Sequence, residues 1–222
     1  MFYNFLYENF SESVNFFNLF QYITVRSGAA LTTSFMLVLI FGPAIIRKFA
    51  ILQSGGDTVS DRTPDSHQKK IGTPSMGGFM IIGAMLISTL LWADMTNPYI
   101  LICLFVTLTF ATIGFVDDYL SLKKIRRGGL PGKVRLALQF AISTIAVLIA
   151  QYYHVGDNFS DITFIPFLKD TIISLNIVLF CIFAGFVCSG TANGVNLTDG
   201  LDGLAIFPCI VVAGGFAGLA YI

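Results

Sequence analysis

Hydrophobic residues in this chain fall in long unbroken runs, not in the alternations or narrow stripes of a soluble fold. Six runs, roughly 27–46, 76–93, 98–116, 136–153, 171–188 and 204–222, are of membrane-crossing length, for which about 20 residues suffice. Inside hydrocarbon the backbone must satisfy its own hydrogen bonds, and nothing here alternates at the two-residue period of a barrel strand. Each run is therefore expected to be a helix. The fold class expected is all-α, a polytopic transmembrane helical bundle, with residues 1–222 forming a single integral membrane domain. Residues 1–25 are rich in Phe and Tyr but lack the basic start and small-residue cleavage site of a signal peptide. They are expected to be an interfacial segment on the outer face.

Composition supports this and adds a direction. The chain is 55% hydrophobic and 12% charged, with 13 basic and 13 acidic residues and no net charge. A soluble domain carries about a quarter of its residues as charged ones. The zero net charge is uninformative by itself, because what matters is where the charges lie; membrane lipids and no nucleic acid are the expected surroundings. Basic residues gather in the first connection (Arg47, Lys48, Arg62, Lys69, Lys70) and the third (Lys123, Lys124, Arg126, Arg127, Lys133, Arg135). The second connection, 94–97, has none, and the fourth has only Lys169. The positive-inside rule then places the first and third connections in the cytoplasm and the N-terminus outside. Cys103, Cys181, Cys188 and Cys209 lie inside apolar runs without metal-ligand spacing, as packing residues do.

Three polar clusters fall on the cytoplasmic side by this count of crossings. In Asn193-Gly-Val-Asn-Leu-Thr-Asp-Gly-Leu-Asp-Gly203, the residues Asn193, Asn196, Asp199 and Asp202 recur every three positions. That is a spacing at which helix side chains become neighbours. Asp117 and Asp118 end the third run, and adjacent carboxylates resist ionising together unless a cation is near. Mg²⁺ is the natural one, being oxygen-seeking and commonly shared with substrate phosphates. The segment Asp65–Gly78 sets Lys69 and Lys70 beside Gly72, Pro74, Gly77 and Gly78 at a helix entry, where an anionic phosphate is favoured. Lys133 follows the turn Gly128-Gly-Leu-Pro-Gly132. Against these readings stand plainer ones. The island can be a solvated loop, Asp117 and Asp118 hydrated interface charges, and the lysines topological or lipid-facing residues. Together the clusters offer acids, lysines and amides at one membrane surface. Phosphoryl transfer, which mainly needs positioning and charge neutralisation, is the reaction class that uses them.

The segments 65–78, Phe115-Val-Asp-Asp-Tyr-Leu120 and 193–205, together with Tyr22-Ile-Thr-Val-Arg-Ser-Gly28, resemble the signatures of the phospho-N-acetylmuramoyl-pentapeptide transferase family. This is a branch of the polyprenyl-phosphate N-acetylhexosamine-1-phosphate transferases. The resemblance implies a bacterial inner-membrane enzyme of peptidoglycan synthesis, active at the cytoplasmic face. Its substrates would be UDP-MurNAc-pentapeptide and undecaprenyl phosphate, its products lipid I and UMP, and its cofactor Mg²⁺. Carried over residue by residue, Asp117 and Asp118 become catalytic acids and metal ligands. Lys70, Lys133, Asn193, Asn196, Asp199, Leu201 and Asp202 become substrate-binding residues, with Leu201 and Asp202 near the uracil.

The same resemblance implies about ten membrane helices at about 20 residues per crossing, of which six are present. A further aspartate and a histidine cluster belong to the remainder. The expectation is a truncated or split-gene product that needs a complementary C-terminal fragment or a homodimer for activity. Two other readings compete. A sibling transferase would use UDP-N-acetylglucosamine. A transporter fragment would carry its acids near the bilayer midplane rather than at one surface.

Overall fold

The computed structural model describes residues 5, 7, 15–53, 77–122, 129–153, 162–164, 172–199 and 203–221, and each of the six apolar runs contributes a helix to it. A 3-10 turn, Asn15–Gln21, leads into α1 (Ile23–Gln53). Then come α2 (Gly77–Trp92), α3 (Pro98–Leu122) and α4 (Gly132–Tyr153). Strands β1 (Ile162–Phe164) and β2 (Ile172–Ser174) precede α5 (Ile177–Thr198) and α6 (Ile206–Tyr221). Among the described residues four segments are long and apolar enough to cross a membrane: Ile23–Ile51, Pro98–Ser121, Gly132–Tyr153 and Ile177–Thr198. With 16 residues each, α2 and α6 are about 24 Å long at 1.5 Å per residue. The chain is a multi-pass membrane protein.

Several boundaries differ from the expected ones: α1 runs to Gln53 and not 46, α3 to Leu122 and not 116, α4 starts at Gly132 and not 136, and both ends of the fifth run move. The fifth run was expected to begin at 171, but Ile172–Ser174 pairs antiparallel with Ile162–Phe164, Ile162 opposite Ser174. The helix starts only at Ile177, where the Asn176 side chain accepts a hydrogen bond from the Leu179 amide at 2.9 Å. An N-cap of this kind satisfies an amide that has no partner within the helix. At its other end α5 continues ten residues past the expected limit of 188, through Asn193 and Asn196, to Thr198. Loss of hydrophobicity ends the lipid-facing stretch but does not end the helix. Asp199 then leaves helical geometry, and Gly203 turns the chain with φ +82°.

The pattern of burial is inverted relative to a soluble fold. Small or polar residues are the buried ones: Ala84, Ser88, Gln139, Ser143, Ala146, Cys181 and Ser189, with Ile113 the largest aliphatic. Large apolar side chains face outward, Leu31 73% and Phe207 70% exposed. Lipid provides no hydrophobic force between helices, so small residues that permit close approach gather at the interfaces. Hydroxyls that would be stranded in lipid bond back to the preceding turn, as Ser88 does to Ala84, Thr112 to Leu108 and Ser143 to Gln139, all at 2.7–2.9 Å.

The described residues divide into two compact units, Met1–Arg135 and Leu136–Ile222, the second beginning within α4. In the first, α1 packs along α2 and α2 against α3. At one end of this unit Trp92 donates to Thr33 Oγ1 at 3.0 Å and lies 5.4 Å from the Phe20 ring of the 3-10 turn. At the other, Phe49, Phe79, Phe115 and Tyr119 form a relay of rings 6.2–6.4 Å apart. This relay ties three helices together beside Asp117. In the second unit Gly185 of α5 faces Phe140 of α4, and a Cβ on Gly185 would overlap that ring.

Candidate functional site

In α3 the carboxylates occupy a defined depth. Asp117 lies 19 residues beyond Pro98, about 29 Å along the helix axis, close to the roughly 30 Å thickness of a hydrocarbon core. The length of α3 thus brings the acids to a membrane surface. Their two environments differ. Asp118 is exposed, whereas Asp117 is half-buried and its carboxylate is gripped. Its Oδ1 accepts the Leu130 amide at 2.7 Å, and its Oδ2 lies 3.5 Å from the Arg135 guanidinium.

The grip depends on Gly129, which has φ +70°. A Cβ there would sit 2.5 Å from Asp117 Oδ1 and 2.9 Å from the Asp117 carbonyl oxygen. Only glycine takes this backbone conformation without strain and also leaves room for the carboxylate. Beyond the turn, Pro131 accepts from the Val134 and Arg135 amides at 2.9 and 3.0 Å and starts α4. Lys133 stands exposed in the first turn of that helix.

In the second unit, Asn193 is half-buried on α5, while Asn196 and Asp199 are exposed. A three-residue step falls about 60° short of a full turn at 3.6 residues per turn. The series therefore drifts around the helix, and Asp199 lies about 120° from Asn193. The Asn193 amide nitrogen donates to Gln139 Oε1 at 2.8 Å and to the Ser189 carbonyl at 2.7 Å. Gln139 is 5% exposed. Ser189 Oγ, buried in the same seam, has no hydrogen-bond partner among the described residues.

Of the residues singled out in the sequence, Asp117, Asp118, Lys133, Asn193, Asn196 and Asp199 are thus placed. Lys70, Leu201 and Asp202 lie outside the described residues. From the sequence, Gln139 is not singled out, Gly129 enters only as part of a turn, and Arg135 only as one charge of the basic stretch, not as a partner of Asp117. A lone glutamine in an apolar run is a signal in itself, since polar groups in membrane helices are costly unless paired.

The donor set fits a hard divalent cation. Asp117 and Asp118 supply oxygens alone, and each Asp117 oxygen keeps a lone-pair direction beyond the contact already made. Among the described residues no group of three His, Cys, Asp or Glu side chains forms a closed metal site. An ion held here would complete its shell with phosphate oxygens and water, as Mg²⁺ commonly does.

A family model described as glycosyl transferase family 4 matches residues 100–222, a stretch containing both aspartates and the 193–203 island. The chain is also 44% identical, over 211 residues and 95% of its length, to the phospho-N-acetylmuramoyl-pentapeptide-transferase of Ruegeria sp. (strain TM1040). It spans 58% of that relative's length. The chain belongs to glycosyl transferase family 4.

Proposed function

We propose that this member of glycosyl transferase family 4 acts as a single integral membrane domain at the cytoplasmic face of a bacterial inner membrane. Its reaction is the transfer of phospho-MurNAc-pentapeptide from the UDP carrier to undecaprenyl phosphate, which gives lipid I and UMP. An oxygen of the lipid phosphate bonds to the sugar-bearing phosphorus, and the phosphoanhydride bond to UMP breaks. The observation that carries this reading is the carboxylate pair at the end of α3. It stands at membrane-surface depth with one member fixed by Leu130 and Arg135. The 44% identity to the relative named above supports the choice of substrate.

Asp117 and Asp118 are the catalytic carboxylates. A prenyl phosphate is already largely ionised near neutral pH, so their main work is to orient the attacking oxygen, with proton removal secondary. Both would also hold Mg²⁺, which when bound would supply neutralisation of the pyrophosphate charge. Arg135 helps fix the Asp117 carboxylate, and the Gly129 turn delivers Lys133 to the same end of the first unit, where its ammonium meets phosphate. Lys70 contacts phosphate. Asn193, Asn196, Asp199, Leu201 and Asp202 bind the nucleotide sugar.

The test incubates membranes containing the chain with polyprenyl phosphate and radiolabelled UDP-MurNAc-pentapeptide or UDP-N-acetylglucosamine. Lipid-linked MurNAc product is expected, formed only with Mg²⁺ present. Lipid-linked GlcNAc alone would move the chain to the sibling activity, and no lipid-linked product from either donor, even with a fragment supplying the C-terminal part of the relative's length, would overturn the reading.

A further inference from the structure

The Gln139–Asn193 pair has a geometry that a simple packing contact does not require. Asn193 lies five residues before the end of α5 and Gln139 seven residues after the start of α4. Both are therefore about 8–10 Å inside the helix ends at 1.5 Å per residue. The orientation of the Asn193 carboxamide is fixed by the backbone. The Ser189 carbonyl can only accept, so it is the amide nitrogen that must face it. The second hydrogen of that nitrogen goes to Gln139, which must then present its oxygen. Gln139 is itself held, being buried, with its backbone carbonyl accepting the Ser143 hydroxyl at 2.8 Å. Both Asn193 donors are thus spent inside the second unit. Its Oδ1 receives no donor among the described residues.

From this we infer that Gln139 is a positioning residue of the nucleotide-sugar site. It clamps Asn193 so that the Oδ1 atom, and not the amide nitrogen, meets the substrate. Asn193 then reads a donor group, such as the imide N–H of a pyrimidine, a sugar hydroxyl or an acetamido N–H. It is blind to phosphate, which only accepts. The inference rests on the proposed function for its substrate, while the clamp itself rests on geometry alone. A neutral pair fits this place: two amides satisfy each other without charge where a carboxylate would need a counter-ion.

The test uses the full chain in detergent with two independent readouts. Asn side-chain amide protons are followed by ¹⁵N NMR for exchange with solvent, with Asn193 assigned by substitution. The KM values for the UDP-linked sugar and for the lipid phosphate are measured separately. In the wild type both Asn193 amide protons should be protected. Gln139→Leu should release one and raise the KM for the UDP-linked sugar about five- to tenfold, the worth of one hydrogen bond. The KM for lipid phosphate should stay unchanged. Gln139→Glu, which keeps the accepting oxygen, should keep both Asn193 protons protected and the KM for the UDP-linked sugar within about twofold of wild type, its uncompensated charge showing as lower thermal stability.

Unprotected protons in the wild type, or equal effects of Gln139→Leu and Gln139→Glu, overturn the clamp. Equal rises in both KM values reduce Gln139 to a packing residue and also overturn the inference. Protected protons in a wild type that, even with a fragment supplying the C-terminal part of the relative's length, has no activity on the UDP-linked sugar overturn the proposed function and the substrate assignment with it, leaving the clamp standing.

Discussion

Asp117 is held by two different groups, and two substitutions separate them. Asp117→Asn keeps an oxygen for the Leu130 amide but loses the charge that faces Arg135. A part-exposed ion pair is worth about 0–1 kcal/mol, so the fold should tolerate the change. Lipid-linked product formation should fall at least about 100-fold, the lower range for a positioned acid–base group. Asp118→Asn should do the same. Wild-type rates from both would return the pair to the status of hydrated surface charges. Gly129→Ala keeps the charge but forces a side chain into a left-handed backbone and against the carboxylate. It should destabilise the first unit by about 1–3 kcal/mol, read as detergent-solubilised thermal unfolding. A contrasting residue is Ser189, whose buried hydroxyl lacks a partner among the described residues. Ser189→Ala removes that group while leaving the carbonyl that orients Asn193, and should be neutral or stabilising by up to about 1 kcal/mol.

Among the elements, the contact between α4 and α5 depends on one glycine and is indifferent to another. Gly185 lies against the Phe140 ring, which in turn packs edge-on against Phe186 with centroids 5.1 Å apart. Gly190, five residues further along α5, has open space where a Cβ would go. Ala is about 1 kcal/mol better than Gly in a helix interior. Gly190→Ala should therefore stabilise the chain slightly, while Gly185→Ala should lose more than that gain through overpacking, which typically costs about 1–3 kcal/mol. Equal stability of the two variants, measured in the same detergent, would contradict the close approach of Phe140. These elements also show what a sequence can reveal. Every helix was legible because the bilayer forces long apolar runs into one backbone solution. The extension of α5 through Asn193 and Asn196 was not, because hydropathy reports where lipid ends and not where backbone hydrogen bonding ends. Gly128-Gly-Leu-Pro-Gly132 was legible as a turn, but its docking on Asp117 spans 13 residues and leaves no periodic trace. The Asn193–Gln139 bond spans 54 and leaves even less.

For the whole molecule, charge placement makes the strongest claim. The connection between α2 and α3 has no basic residue and is held by its own side chains. Asp94 accepts from the Thr96 hydroxyl at 2.7 Å and from its amide at 3.1 Å, and Asn97 caps α3 by accepting the Tyr99 amide at 2.9 Å. The Thr96 hydroxyl first, then the Thr96 amide, and to a smaller extent the charge of Arg26, hold the Asp94 carboxyl below its ordinary 3.8. A lowered folded-state value means that the unfolded chain binds more protons in the window just below 3.8. The stabilisation is complete above that value and is lost as pH falls through the folded one. Asp94→Asn should flatten this part of the acid limb of thermal stability. The opposite end of α3 carries Asp117, Asp118 and, just beyond, the basic connection. Positive-inside topology requires these two ends to face opposite compartments. In a chain with its four cysteines changed to alanine, Met95→Cys should react with a membrane-impermeant maleimide in intact cells. Ser121→Cys, exposed at the far end of α3, should react only after the membrane is opened. The reverse order would invert the protein, place the carboxylates outside the cell and remove them from any cytoplasmic nucleotide sugar.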